Sequence, residues 1–98
     1  MRTLKTLIVD DEIELRKSLI SILPTVTDDY DFEIIEAENG KQALDAMQTQ
    51  SFDIVLMDVR MPEVDGIEAL ERIKKQDPRT FVVIMTAHSN LQDAVQAI

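Results

Sequence analysis

The 98 residues, 45% of them hydrophobic, suffice for one domain with one core, and no stretch has the composition of a disordered segment. Ten Lys and Arg against nineteen Asp and Glu leave a net charge of −9. That argues against direct nucleic-acid binding, which needs a basic face. The absence of cysteine removes disulfides and thiolate metal sites, and no apolar run approaches the ~18 residues of a membrane span. With no signal-peptide pattern at the start either, a cytoplasmic protein is the expectation.

Residues 4–9 (LKTLIV) read as a short buried strand, and the run stops on three acids, Asp10, Asp11 and Glu12. Residues 13–23 then read as an amphipathic helix, with Leu15, Leu19, Ile20, Ile22 and Leu23 inward and Glu14, Arg16, Lys17, Ser18 and Ser21 outward. Asp11 and Glu12 stand where the helix dipole favours negative charge, and Pro24 is the expected stop. Residues 24–31 (PTVTDDYD) make an acidic surface connection without the ligand pattern of an EF-hand. Residues 32–37 (FEIIEA) form a second strand, Asn39-Gly40 punctuates, and a helix runs to about Gln50 with Ala43, Leu44, Ala46 and Met47 inward.

Residues 54–57 (IVLM) are four consecutive apolar positions, the pattern of an interior parallel strand buried on both faces. This run ends on a carboxylate, Asp58, followed by Pro62 and the turn-formers Asp65-Gly66. A third helix spans 67–76 with Ile67, Leu70 and Ile73 as its stripe, and Asp77-Pro78 ends it. Residues 81–85 (FVVIM) make a fourth buried strand, stopped by Thr86, Ala87, His88, Ser89 and Asn90. Residues 91–98 open a fourth helix, with Asn90 as its cap and Asp93 as a weak capping-box partner.

Strands alternating with helices imply right-handed βαβ units, hence an α/β fold with a doubly wound parallel sheet. Short connections put the C-terminal ends of all strands on one edge, where ligands bind in such sheets. Three of those ends carry polar groups: Asp10-Asp11, Asp58 and Thr86. Carboxylates brought that close repel, and they must share a proton or a cation. An all-oxygen cluster suits a hard ion, Mg²⁺ (or Mn²⁺), which completes its shell with water and phosphate oxygens. A carboxylate beside such an ion can attack phosphorus to give an acyl phosphate, and a nearby hydroxyl, Thr86, can bind a phosphoryl oxygen. Plainer roles are open to the same residues: Asp11 as a helix cap, Thr86 as a turn residue, His88 and Arg60 as solvated side chains, Met57 and Met85 as core filler.

Ile8-Val9-Asp10-Asp11-Glu12, then Asp58 with Met61-Pro62 and Asp65-Gly66, then Met85-Thr86-Ala87, resemble the receiver domain of bacterial two-component response regulators. The resemblance covers essentially all of residues 1–98. It implies a flavodoxin-like strand order 2-1-3-4-5, with Asp58 as phosphoacceptor from a sensor histidine kinase or a small phosphodonor. It further implies Asp11 as a direct Mg²⁺ ligand, Asp10 as one acting through water, Asp58 and the Arg60 backbone carbonyl as further ligands, and Thr86 as switch hydroxyl. Arg60 and His88 fall where such domains tune phosphoryl lifetime, and Glu12 and Ala87 are further modulatory positions. The switched surface lies around the fourth helix, where a homodimer is also expected, in a protein that regulates transcription. No membrane or nucleic-acid contact is expected of the domain itself.

The pattern departs from the family at its end. Residues 1–98 stop inside the fourth helix, before the fifth strand with its lysine and the fifth helix. A molecule that ended there would label slowly and would expose residues 81–85 as an edge strand open to strand exchange, which light scattering would detect. Two other functions stay open. One is a phosphohydrolase passing through an aspartyl-phosphate, as in haloacid-dehalogenase-like enzymes; these place a second acid two residues after the nucleophile, where this chain has Arg60. The other is a receiver-like binding module that is never phosphorylated.

Overall fold

The computed structural model describes residues 2–58 and 66–85, the side chains of residues 58, 66, 67 and 85 excepted. The elements alternate as expected: β1 (Arg2–Val9), α1 (Ile13–Val26), β2 (Tyr30–Ala37), α2 (Gly40–Thr49), β3 (Ile54–Asp58), α3 (Gly66–Gln76) and β4 (Phe81–Met85). All pairings in the sheet are parallel and the order is β2-β1-β3-β4. The expected fourth helix and its Asn90 cap lie outside the described residues.

Alternation along the strands sends successive side chains to opposite faces. Leu7, Val9, Val55 and Met57 face α2 and α3, packing with Ala43, Met47, Phe52, Ala69 and Ile73. Ile8, Ile54 and Leu56 face α1, packing with Leu19 and Leu23. Each of the four residues 54–57 is therefore fully buried, as a strand covered on both sides must be. The first crossover passes one way from β1 to β2, whereas those through α2 and α3 progress the other way to β3 and β4. The order thus reverses between β1 and β3, and a crevice opens at their C-terminal ends.

Hydrogen bonds at the opposite edge fix the register. Asp53 N–H donates to Lys5 O (2.8 Å), Lys5 N–H to Asp53 Oδ2 (2.8 Å), and Phe81 N–H to Asp53 O (3.0 Å). The Thr80 hydroxyl, fully buried, donates to Phe52 O at 3.0 Å. At the start of α2 the Asn39 side chain accepts from Gln42 N–H (2.9 Å), while Gln42 Oε1 reaches past the cap residue to accept from Glu38 N–H (2.8 Å).

Several expectations need correction. Pro24 does not stop α1, which continues to Val26. Proline's fixed φ is compatible with a helix, although its ring crowds the carbonyl four residues earlier and its missing N–H removes one bond; only Thr25 and Val26 follow it in the helix, and Thr25 Oγ1 donates to Ile22 O at 2.6 Å. Leu15 and Ile22 are exposed, at 41% and 46%, whereas Arg16 is buried at 6%. The buried stripe runs through Arg16, Leu19 and Leu23, rotated from the one the leucines alone suggest. In α3 the inward positions are Ala69 and Ile73, with Leu70 partly buried. β1 and β2 begin earlier than their apolar runs, at Arg2 and Tyr30, which pair in register with the Arg2 guanidinium 5.7 Å from the Tyr30 ring centre. In β4, Val82, Val83 and Ile84 are half-buried rather than buried, and Phe81 is partly exposed.

Candidate functional site

The strand register decides which residues can meet. Val9 is level with Met57, and Asp58 is level with Met85. Asp10 and Asp58 are therefore successive residues on two adjacent parallel strands, whose backbones run about 4.8 Å apart. Thr86 follows the residue that pairs with Asp58. The ends of β1 and β3 flank the crevice where the sheet order reverses, and the end of β4 lies beside that of β3. The groove lined by Pro24, Thr27, Asp28, Tyr30, Asp31 and Phe32 sits instead at the N-terminal end of β2, away from these acids.

Asp10 is the best-defined member. It is 0% exposed, and burying a charge is costly unless hydrogen bonds or a counter-charge accompany it. Its N–H donates to Ala37 O at 3.1 Å, extending the ladder between β1 and β2 by one rung. Its Oδ1 accepts from Glu12 N–H at 2.9 Å, an Asx turn that leads the chain into α1. Its carbonyl accepts from Arg16 Nη1 at 2.7 Å. Asp11 and Glu12, by contrast, are exposed. Glu12 is the N-cap residue of α1 yet its side chain makes no cap hydrogen bond; the carboxylate serving that end of the helix comes from Asp10.

Arg16 is the residue that sequence reasoning placed on the wrong face. Its N–H closes the first turn of α1 onto Glu12 O (3.1 Å), and its side chain then spans two elements. Nη1 reaches the Asp10 carbonyl and Nε reaches Glu36 Oε1 on β2 at 3.0 Å. A signal was available: Arg16 stands three residues before Leu19 and seven before Leu23, in helical register with both.

The donor set at this edge fits a hard cation. The chain has no cysteine, and among the described residues the groups at this edge are carboxylate and carbonyl oxygens, the set that Mg²⁺ takes. One carboxylate is fully buried and its neighbour exposed, which would leave one side of an ion open to solvent. Among the described residues no three acids, histidines or cysteines converge on one point. The three-carboxylate arrangement needs the Asp58 side chain, which is not described, and Arg60, Thr86, Ala87 and His88 lie outside the described residues altogether. Among the described residues, no helix is long and apolar enough to cross a membrane.

Comparison with known proteins gives a consistent result. Residues 6–98 match the model of the response regulator receiver domain. The chain is 42% identical over 92 residues to the transcriptional regulatory protein ZraR of Escherichia coli, covering 94% of this chain and 20% of ZraR. It is 40% identical over 96 residues to the chemotaxis protein CheY of Listeria monocytogenes, covering 97% of this chain and 77% of CheY. The chain thus spans a fifth of the length of one relative and most of the other. Among solved structures it resembles the response regulator TrrA of Thermotoga maritima in complex with Mg²⁺ and BeF, at 31% identity and a TM-score of 0.75, covering 95% of this chain and 79% of TrrA. TrrA has also been solved in complex with the histidine kinase ThkA; there the match is 30% identical with a TM-score of 0.71, covering 93% of this chain and 73% of TrrA.

Proposed function

The chain belongs to the response regulator receiver domain family, and on that premise we propose that it is a phosphoacceptor switch, phosphorylated on Asp58 by a sensor histidine kinase. One observation carries the reading: the parallel register brings the ends of β1, β3 and β4 to one edge of the sheet, the first two flanking the point where its order reverses, and these runs lead into Asp10-Asp11, Asp58 and Thr86 in turn. In the transfer, a carboxylate oxygen of Asp58 forms a bond to phosphorus as the phosphorus–nitrogen bond of the donor phosphohistidine breaks, and the imidazole leaves with the electron pair. Asp10, Asp11 and Asp58, with the Arg60 carbonyl, would hold Mg²⁺ at this edge. The ion, when bound, offsets the charge that develops on the phosphoryl oxygens. Two features support the metal assignment: the burial of Asp10 and the all-oxygen donor set. TrrA, whose fold this chain shares, has been seen with Mg²⁺ and a BeF group.

Thr86 donates its hydroxyl to a phosphoryl oxygen and thereby shifts a two-state equilibrium of the surface around the fourth helix. Glu12, Arg60, Ala87 and His88 tune the lifetime of the phosphoryl group. Residues 1–98 act as one receiver domain and as a stoichiometric acceptor rather than a turnover enzyme. The output is transcriptional regulation from the cytoplasm, in keeping with the similarity to ZraR. The test is phosphotransfer. A radiolabelled sensor kinase mixed with the intact protein should lose its label to this chain in the presence of Mg²⁺. Retention of all label on every kinase tried, with a folded and Mg²⁺-binding chain, would overturn the switch reading in favour of a binding module.

A further inference from the structure

We infer that Arg16 is the positioning residue of the acidic edge: its guanidinium clamps the Asp10 carbonyl to Glu36 on β2 and thereby sets where the Asp11 carboxylate stands. The inference rests on the proposed metal-binding role of Asp10 and Asp11.

The geometry behind it is local. The Asp10 carbonyl and the Asp11 N–H belong to one rigid peptide plane. Whatever fixes the direction of that carbonyl fixes the plane, and with it the position from which the Asp11 side chain departs. Arg16 Nη1 holds the carbonyl at 2.7 Å. On the other side Asp10 is already tied, by its N–H to Ala37 O (3.1 Å) and by Oδ1 to Glu12 N–H (2.9 Å). With three anchors the chain between β1 and α1 has little freedom to swing, which would otherwise cost entropy on binding an ion. Arg16 is itself immobilised, 6% exposed, with Nε on Glu36 Oε1 at 3.0 Å.

Chemistry favours arginine for this task. Its planar fork presents separate donors at fixed angles, so Nε and Nη1 engage two acceptors on different elements at once; a lysine ammonium carries the charge without that geometry. Outer groups of this kind usually affect metal affinity by about 10- to 100-fold when removed.

The experiment compares the intact protein with Arg16→Lys, Arg16→Met and a control, Leu19→Ala, which disturbs the same helix from its buried face away from the acids. Mg²⁺ affinity is measured by calorimetry, and hydrogen exchange at the Glu12 amide is followed without metal. Arg16→Lys should weaken Mg²⁺ binding about tenfold and speed exchange at Glu12, while Leu19→Ala lowers stability with Mg²⁺ affinity within about twofold. Losses of affinity that follow stability alike in all three variants would reduce Arg16 to a structural residue and overturn the inference, as would wild-type affinity in both Arg16 variants. If the unsubstituted protein bound no Mg²⁺, the metal assignment would fall on its own; unchanged Glu12 exchange in Arg16→Lys would then overturn the positioning role as well, and faster exchange would sustain it.

Discussion

The orientation of α1 can be tested by comparing two leucines on the same helix. Leu23 is 0% exposed against Ile8, Leu19, Ile54 and Leu56, whereas Leu15 is 41% exposed. Truncating Leu23 to alanine removes the transfer free energy of a fully buried side chain, about 2 kcal/mol, and leaves a cavity closed by the sheet, for a total of about 3 kcal/mol. Truncating Leu15 leaves no closed cavity, because its site opens to water, so the loss should be about 1 kcal/mol or less. A domain of this size has only about 5–15 kcal/mol of stability, so the first change is severe and the second minor. Urea unfolding followed by circular dichroism provides the assay. With a slope of roughly 1–3 kcal/mol per molar, Leu23→Ala should lower the midpoint by about 1–3 M and Leu15→Ala by a fraction of that, at unchanged slope. Equal losses in the two variants, as a stripe containing both leucines would give, would refute the rotated orientation.

Three further outcomes are expected. Thr80→Val keeps the shape of a buried side chain but removes the donor to Phe52 O, and should cost about 1–2 kcal/mol in the same unfolding assay. Asn39→Ala removes the acceptor for Gln42 N–H at the start of α2 and should cost about 1 kcal/mol, with Asn39→Asp close to neutral. Calorimetric Mg²⁺ affinity should fall sharply in Asp11→Ala and less in Asp10→Ala; equal affinities in these and the unsubstituted protein would refute the ligand assignment.

The parts of this fold that were legible in the sequence are those written in contiguous runs. Strands covered on both faces must be apolar throughout, so 54–57 stands out, and the carboxylates that end the runs mark the edge proposed as functional without any knowledge of packing. Helix 67–76 and the strand order required by the family resemblance are borne out for the four strands described. What local pattern could not report was tertiary compensation. Arg16 is buried because its partners come from Asp10 and from Glu36, twenty residues away in sequence; a reading that sorts side chains by polarity sends it to solvent. Pro24 was read as a stop because its missing donor and ring clash act locally, yet the helix continues for two residues beyond it. The starts of β1 and β2 were missed because the Arg2–Tyr30 pairing lies beyond both apolar runs.

The most direct test of the account is the chemical fate of Asp58. Radiolabelled acetyl phosphate with Mg²⁺, offered to the intact protein, should place one acid-stable, base-labile phosphoryl group per chain, mapped to the peptide that contains Asp58. Chelation of the metal or the change Asp58→Asn should abolish it. Label that survives Asp58→Asn, or steady release of phosphate over many turnovers from an unrelated ester, would contradict the phosphoacceptor switch.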